Sequence, residues 1–336
     1  MKLRIVLLLI PTAWIGAGTW TSAKYGGAFL ENGVGARSLG MGSAFTALAN
    51  DVTAVYWNPA CLNALDVPQI LGMHSEQFSG VINLDFVALG LKADPKHAFG
   101  LGFLRLGVDG IPFTRLRDPN RGLGEVIVDE DGNRFRNDPV VTRFVNDSEI
   151  AVFFTAASRL RNFWVGGTAK VIRKSAGGYG AWGMGFDFGF LWMPDHLFRL
   201  GFQLSDVTAT WMVWNGGRKE VILPHGRLGF ACLLSKSSFT VTPAFDMEIT
   251  LENHGDAAQA HLGQVGLDFH SGLEVGYRDR LAFRLGLDRG NLTVGGGLHF
   301  SVFRFDYAFC SNWDLGKTHR ISMAIDWDPE KIKDLI

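Results

Sequence analysis

From Gly180 to Met193 the chain alternates so strictly that few folds can accommodate it. Trp182, Met184, Phe186, Phe188, Phe190 and Trp192 take every second position, with Gly183, Gly185, Asp187, Gly189 and Leu191 between them. Successive side chains of a β-strand point to opposite faces. As a strand, this segment has one wholly apolar face and one of mostly small or charged residues. A soluble sandwich buries its apolar face against a second sheet; a membrane barrel turns that face to lipid and keeps the polar face inside. Length separates the two. Trp182 and Trp192 lie ten residues apart, about 33 Å along an extended strand. A tilt of about 40° projects that to roughly 25 Å, the height of the apolar band between the aromatic girdles of an outer-membrane barrel. Core strands of soluble proteins run only about five or six residues.

The pattern recurs. Phe239, Val241, Phe245, Met247, Ile249 and Leu251 oppose Thr240, Thr242, Asp246, Glu248 and Thr250. Phe198, Leu200, Phe202 and Leu204 oppose Arg199, Gln203 and Ser205, and Ile321, Met323, Ile325 and Trp327 oppose Arg320, Ser322, Ala324 and Asp326. Strands are expected at 68–77, 82–93, 97–107, 148–160, 162–175, 180–193, 198–206, 222–234, 239–251, 262–277, 281–288, 292–300, 302–309 and 319–327. The even-numbered connections among these are short, and the long ones (108–147, 207–221, 252–261 and 310–318) all fall on the other side. Short periplasmic turns opposite longer external loops are an outer-membrane feature. Charges on the inward face (Asp187, Arg199, Asp246, Glu248, Arg284, Arg304, Asp306 and Arg320) are expected to form cross-strand structural pairs.

The N-terminus reads as a signal peptide over residues 1–23. Lys2 and Arg4 precede the apolar core Ile5–Ile10, and Thr21-Ser22-Ala23 forms a cleavage site. Pro11 and the polar run after Gly18 leave the apolar stretch short of the roughly 20 residues of a spanning helix. The formal net charge is −1, becoming −3 once Lys2 and Arg4 are removed, and neither value suggests nucleic acid, which needs a concentrated basic face. With 42 Gly and 19% charged residues the composition suits strands better than helices. Cys61, Cys232 and Cys310 lack metal-ligand spacing and read as small buried apolar residues.

Residues 24–66 do not alternate. They contain Ala36-Arg37, Leu39-Gly40-Met41-Gly42 and Trp57-Asn58-Pro59-Ala60. A phosphate-loop reading of these glycines fails, because no Lys-Ser or Lys-Thr follows and no buried strand precedes. The stretch resembles the N-terminal hatch of FadL-like outer-membrane proteins, most closely the PorV/PorQ branch. That branch has Gly where this chain has Cys61. Asp306-Tyr307-Ala308-Phe309, Leu315-Gly316 and Thr318-His319-Arg320-Ile321-Ser322 are similar to the branch's closing hairpin. The resemblance implies a transmembrane antiparallel β-barrel of about 14 strands over 67–327, a hatch over 24–66 folded inside it, and a periplasmic tail at 328–336. Arg37, Leu39, Gly40, Met41, Gly42, Trp57, Asn58, Pro59 and Ala60 would then be structural or gating residues.

Two functions follow from the resemblance, and the motifs, which fit the PorV/PorQ branch better than classical fatty-acid transporters, favour the first over the alternative. One is an accessory or cargo shuttle of protein secretion, with secreted cargo or machinery subunits as partners. The other is passive transport of a hydrophobic small molecule. Trp211 and Trp214, in the expected loop 207–221, are candidate contact residues for a partner. Trp182, Trp192 and Trp327 are expected in the membrane-interface girdles, against outer-membrane lipid, in a Gram-negative outer membrane. No catalytic, metal or cofactor site is expected. Asp129, Asp131 and Asn133 lack the closing Glu of a calcium loop, and His319 and Ser322 point to opposite faces of a strand, so they cannot act together.

Overall fold

A computed structural model describes residues 21–22, 27–78, 80–128, 131–251, 257–312 and 316–328. The expected signal peptide other than residues 21–22, Asp129, and the tail beyond 328 lie outside the described residues. Fourteen antiparallel strands close into one barrel. They are β1 (Gln69–Gln77), β2 (Ile82–Lys92), β3 (His97–Leu116), β4 (Pro139–Leu160), β5 (Phe163–Ala176) and β6 (Tyr179–Trp192). β7 covers Phe198–Ser205 and resumes over Thr210–Trp214; β8 covers Lys219–Ile222 and resumes over His225–Cys232. β9 (Phe239–Thr250), β10 (Val265–Tyr277), β11 (Leu281–Asp288), β12 (Asn291–Phe300), β13 (Phe303–Asn312) and β14 (Gly316–Asp326) complete the ring. Closure is by β1 on β14, from Gln69↔Asp326 to Glu76↔His319.

The faces are inverted relative to a soluble protein. On β6, Trp182 and Met184 are more than half exposed while Ala181 and Leu191 are fully buried. Outward positions on neighbouring strands repeat this, with Phe154, Phe163, Leu200, Phe230, Phe245 and Phe283 all exposed. Water would not tolerate such a continuous apolar wall, and hydrocarbon requires one. Short turns join the strands at one end: 161–162 between β4 and β5, and 301–302 between β12 and β13. Arg161 (φ 58°) and Ser301 (φ 54°) take the left-handed conformation that so short a reversal demands.

Three expectations change. The connection 108–147 is mostly β-structure: β3 runs on to Leu116 and β4 begins at Pro139, joined through Val108↔Asp147 and onward with two register shifts. Arg143 over the Phe113 ring (4.8 Å) and the Asn137 side chain bonding back to residues 118–122 hold this hairpin together. The connection 207–221 is likewise the paired ends of β7 and β8, Thr210↔Ile222 through Val213↔Lys219. The single strand expected at 222–234 is broken at Leu223-Pro224, where proline has no N–H for the ladder, and the break faces the interruption at 206–209 in β7.

If the outward face of β6 meets hydrocarbon, Phe186→Arg at mid-strand costs about 2–4 kcal/mol relative to Phe186→Ala, while Trp182→Arg at the strand end costs about 0–1 kcal/mol relative to Trp182→Ala. Denaturant unfolding from lipid vesicles measures both. Equal costs at the two depths would contradict the membrane reading.

Candidate functional site

The interior is filled by the chain's own N-terminal segment. Residues 27–66 form short helical turns (Ala28–Asn32, Ala36–Gly40, Ala54–Trp57 and Pro59–Ala64) whose apolar side chains are almost all buried. What lets a backbone lie this close to the wall is inward-facing glycine. A methyl group added at Gly272 or Gly286 would fall on the Met41–Gly42 backbone, at Gly201 on Thr46, and at Gly166 or Gly189 on Asn58–Pro59–Ala60. Gly42 itself has φ 60° and abuts the Ser271 and Leu287 backbone, so it answers two constraints at once. Leu39 is buried beside Ala36, Ala308 and Cys310, and Met41 enters the main core.

Polar side chains then fix the segment to the strands. Arg37 makes two 2.9 Å bonds to the Glu274 carboxylate on β10 and donates to Asn50 Oδ1 at 2.6 Å. Glu274 also accepts from Arg284 (2.6 Å), which reaches Asp306 (2.6 Å), so one chain of charges runs from the segment across β10, β11 and β13. Burial alone would push the Arg37 guanidinium pKa down; the Glu274 carboxylate beside it more than reverses this, leaving it raised and charged. Asp246 accepts from the Phe45 and Thr46 N–H groups (2.9 and 2.8 Å), Ser322 from Ala36 N–H (2.8 Å), and the buried Arg320 donates to Asn32 O (2.8 Å).

The Trp-Asn-Pro-Ala element is a joint. Trp57 Nε1 donates to Val34 O at 2.8 Å, and its ring lies under Arg227 at 5.0 Å. Asn58 Nδ2 donates to Thr46 O (2.9 Å) and Phe190 O of β6 (3.1 Å), while its Oδ1 accepts from Ala60 N–H (3.1 Å) and so caps the turn that Pro59 opens. Cys61, where the resembled branch has Gly, sits in the core with its thiol against Thr46 O, and burial pushes that thiol up to about 12. The nine segment residues singled out in the sequence lie in two places, Arg37 and Leu39–Gly42 against β10 to β13 and Asn58–Ala60 against β5 and β6, with Leu39, Met41, Trp57, Asn58 and Ala60 buried.

The tryptophans divide. Trp182 and Trp192 face outward near opposite ends of β6, and Trp327 is exposed just beyond β14. Trp211 faces outward from the resumed part of β7, but Trp214 is half-buried against the core, so the pair does not form an exposed loop contact. Their alternation within a strand, 211 and 213 out and 212 and 214 in, is the reason. Asp246 and Arg320 serve the N-terminal segment instead of cross-strand carboxylate pairs. Sequence reasoning also missed Lys170, Arg227 and Glu274. Their inward register was their one signal, and they share it with Trp164, Ile172 and Lys174 on β5, with His225 on β8, and with Asp268 and His270 on β10.

Two voids between segment and wall are small. One of about 30 Å³ lies among Tyr56, Lys170, Asp187, Gln203, His225 and Arg227, and one of about 20 Å³ beside Glu31, Asp206 and Glu248. The larger hollows lie on the outer wall: about 950 Å³ around Gly72, Gly296 and Tyr307, and about 500 Å³ around Ala156, Gly167 and Phe186. An apolar pocket running through the interior is not among them.

This fourteen-strand barrel has counterparts among solved structures. A Pseudomonas aeruginosa FadL homologue is 12% identical over 88% of this chain and 98% of that one, with a TM-score of 0.53. The fold is FadL-like. The CymD monoaromatic hydrocarbon channel (14% identity, 87% and 96% coverage, TM-score 0.52) and the Pseudomonas putida toluene transporter TodX (12%, 88% and 99%, TM-score 0.50) share it. No protein-family model and no curated protein matches the sequence.

Two outcomes check how the FadL-like barrel of this chain holds its segment. Gly286→Ala forces the Met41–Gly42 backbone off the wall and destabilises by about 1–3 kcal/mol or more. Gly72→Ala on the outer face, where an added methyl meets nothing within 4 Å, is neutral, and denaturant unfolding from lipid vesicles measures both. In a variant with Cys61 as its only thiol, maleimide labels the denatured chain and not the folded one. Fast labelling of the folded chain would show that the segment leaves the lumen.

Proposed function

We propose that the protein is a passive transporter of small hydrophobic molecules across the Gram-negative outer membrane, working after removal of residues 1–23. The observation that carries this reading is the FadL-like barrel, shared end to end with channels whose names give a monoaromatic hydrocarbon and toluene as cargo. The apolar outer wall suits the outer membrane, with Trp182, Trp192 and Trp327 at its interfaces and lipid as the surrounding partner. Residues 27–66 are the hatch of this reading. Arg37 with the Leu39–Gly42 stretch, and Trp57 with Asn58–Ala60, anchor it, and transport requires part of it to move, because the voids beside it are too small for an aromatic molecule. The secretion-accessory reading, with cargo protein or machinery subunits as partners, rests on the PorV/PorQ motifs alone. The inward turn of Trp214 removes half of the aromatic contact it would use.

Expression in a Gram-negative host deleted for its own hydrophobic-compound channels tests this. Uptake of labelled toluene or of a labelled long-chain fatty acid by intact cells is expected to rise several-fold over vector controls. Uptake equal to the control, together with stoichiometric secreted proteins co-purifying from solubilised outer membrane, would replace transport with the secretion role.

A further inference from the structure

The apolar belt of the outer wall is uneven in height. On β6 its outward side chains run from Trp182 to Trp192, about 25 Å once the strand tilt is allowed for. On β2 they run only from Val87 to Leu91 and on β3 from Phe99 to Phe103, about 10 Å by the same conversion. On β1 only Ile70 and Gly72 remain. Above them the outward positions become ionisable. His74, Asp85 and Arg105 are direct neighbours across β1, β2 and β3, and their side chains, 44%, 40% and 33% exposed, face away from the lumen. His74 Nδ1 lies 2.7 Å from Asp85 Oδ1, and Arg105 lies 3.5 Å from Asp85 and 3.8 Å from Asp109. Glu76 on β1 and His319 and Lys317 on β14 extend the patch toward the external end.

These groups do not sit at the rim of the belt as β6 defines it. Counted from the short-turn end of each strand, His74 is five residues from Gln69, Asp85 seven from Lys92, and Phe186 six from Trp192. One height therefore carries an imidazole–carboxylate pair on one side of the barrel and a phenylalanine on another. An ion is costly at that depth in hydrocarbon and costs little beside headgroups. A bilayer meets a short apolar stretch by thinning. The patch is continuous with the external end, since β1 stops at Gln77, and it carries both signs, which a layer of headgroups and water accepts. Beside it, Gly72 and Gly296 help form the hollow of about 950 Å³, which His74 and Asp85 also line. We infer that the outer-leaflet headgroup layer descends over β1 to β3 to the level of Phe186, with headgroups and water against His74, Asp85 and Arg105 and acyl chains in the hollow. The protein thus thins the membrane on one side, at the seam that closes the barrel. This needs the outer wall to meet lipid and is independent of what the barrel carries.

Quenching of a bimane label in phosphatidylcholine vesicles tests this. The full chain carries Cys232→Ala and either His74→Cys or Phe186→Cys; Cys61 and Cys310 are buried. The His74→Cys label is expected to be quenched several-fold more by aqueous iodide than the Phe186→Cys label, and several-fold less by lipid brominated at mid-chain. Adding Asp85→Leu and Arg105→Leu is expected to bring the His74→Cys label into contact with the brominated chains. The first comparison stands by itself if that variant does not fold. Equal chain quenching of the two labels without those changes overturns the inference, because hydrocarbon then reaches the patch. A His74→Cys label reached by neither quencher also overturns it, because a protein surface, such as a second copy, then covers the patch. Unchanged quenching in the folded Asp85→Leu, Arg105→Leu variant does the same. A Phe186→Cys label that the brominated chains do not reach overturns the membrane reading of the wall and this inference with it. None of these results bears on the uptake assay, and failed uptake leaves the thinning intact.

Discussion

Everything in this molecule depends on the seam between β1 and β14. In hydrocarbon an unpaired backbone N–H or C=O costs several kcal/mol, so a sheet that spans a membrane cannot keep an edge. Pairing Gln69–Glu76 with His319–Asp326 removes the last one. Closure creates a second problem. About eight strands make a barrel whose interior side chains alone can fill it, and fourteen leave a lumen. Here residues 27–66 occupy it, which is why the largest buried side chains include Trp57, Phe45, Met41 and Leu62 from a segment with no long helix or strand of its own.

That segment meets the wall backbone to backbone, so its packing is governed by inward-facing glycine, with side-chain size secondary. Gly166, Gly189, Gly201, Gly272 and Gly286 form its seat. Van der Waals contact of this kind gives little directional preference, and the ion network Arg37–Glu274–Arg284–Asp306 supplies it. Buried ion pairs contribute little net stability over apolar replacements, yet breaking one by removing a partner costs about 3–5 kcal/mol. A segment held this way has one register and strong penalties for any other.

How much of this was legible follows from how local each signal is. The barrel could be read because alternation is a property of each strand by itself; the run from Trp182 to Trp192 carries it without reference to any partner. The extension of β3 to Leu116 could not, because beyond Gly107 its pairing depends on β4, and two register shifts erase the alternation. Within the segment, Asn58-Pro59 announces a turn by its chemistry, but that Asn58 also binds Phe190 O of β6 is a contact 132 residues away in sequence. Lys170, Arg227 and Glu274 were invisible for the same reason. The alternation of a strand says that a charge faces inward, and nothing about what it meets.

The charged lining bears on how anything could pass. The segment is not held evenly. Residues 36–62 are fixed by Arg37, Asp246, Ser322 and Asn58 and by the seat of glycines, whereas residues 27–32 are tied by the Tyr56 hydroxyl to Leu30 O, by Arg320 to Asn32 O, and by Arg289 to Glu31 at 3.7 Å. Moving the longer part breaks a buried ion network and strips the core. Moving the first turn breaks fewer polar contacts, takes only Phe29 and Leu30 out of the core, and opens the two polar voids, both of which border Leu30. Local opening follows the lowest free-energy route, so the first turn opens before the rest. The chamber it uncovers is lined by Lys170, Arg227, Asp206 and Glu248, and a molecule entering there meets hydrogen-bonding groups before it meets an apolar surface.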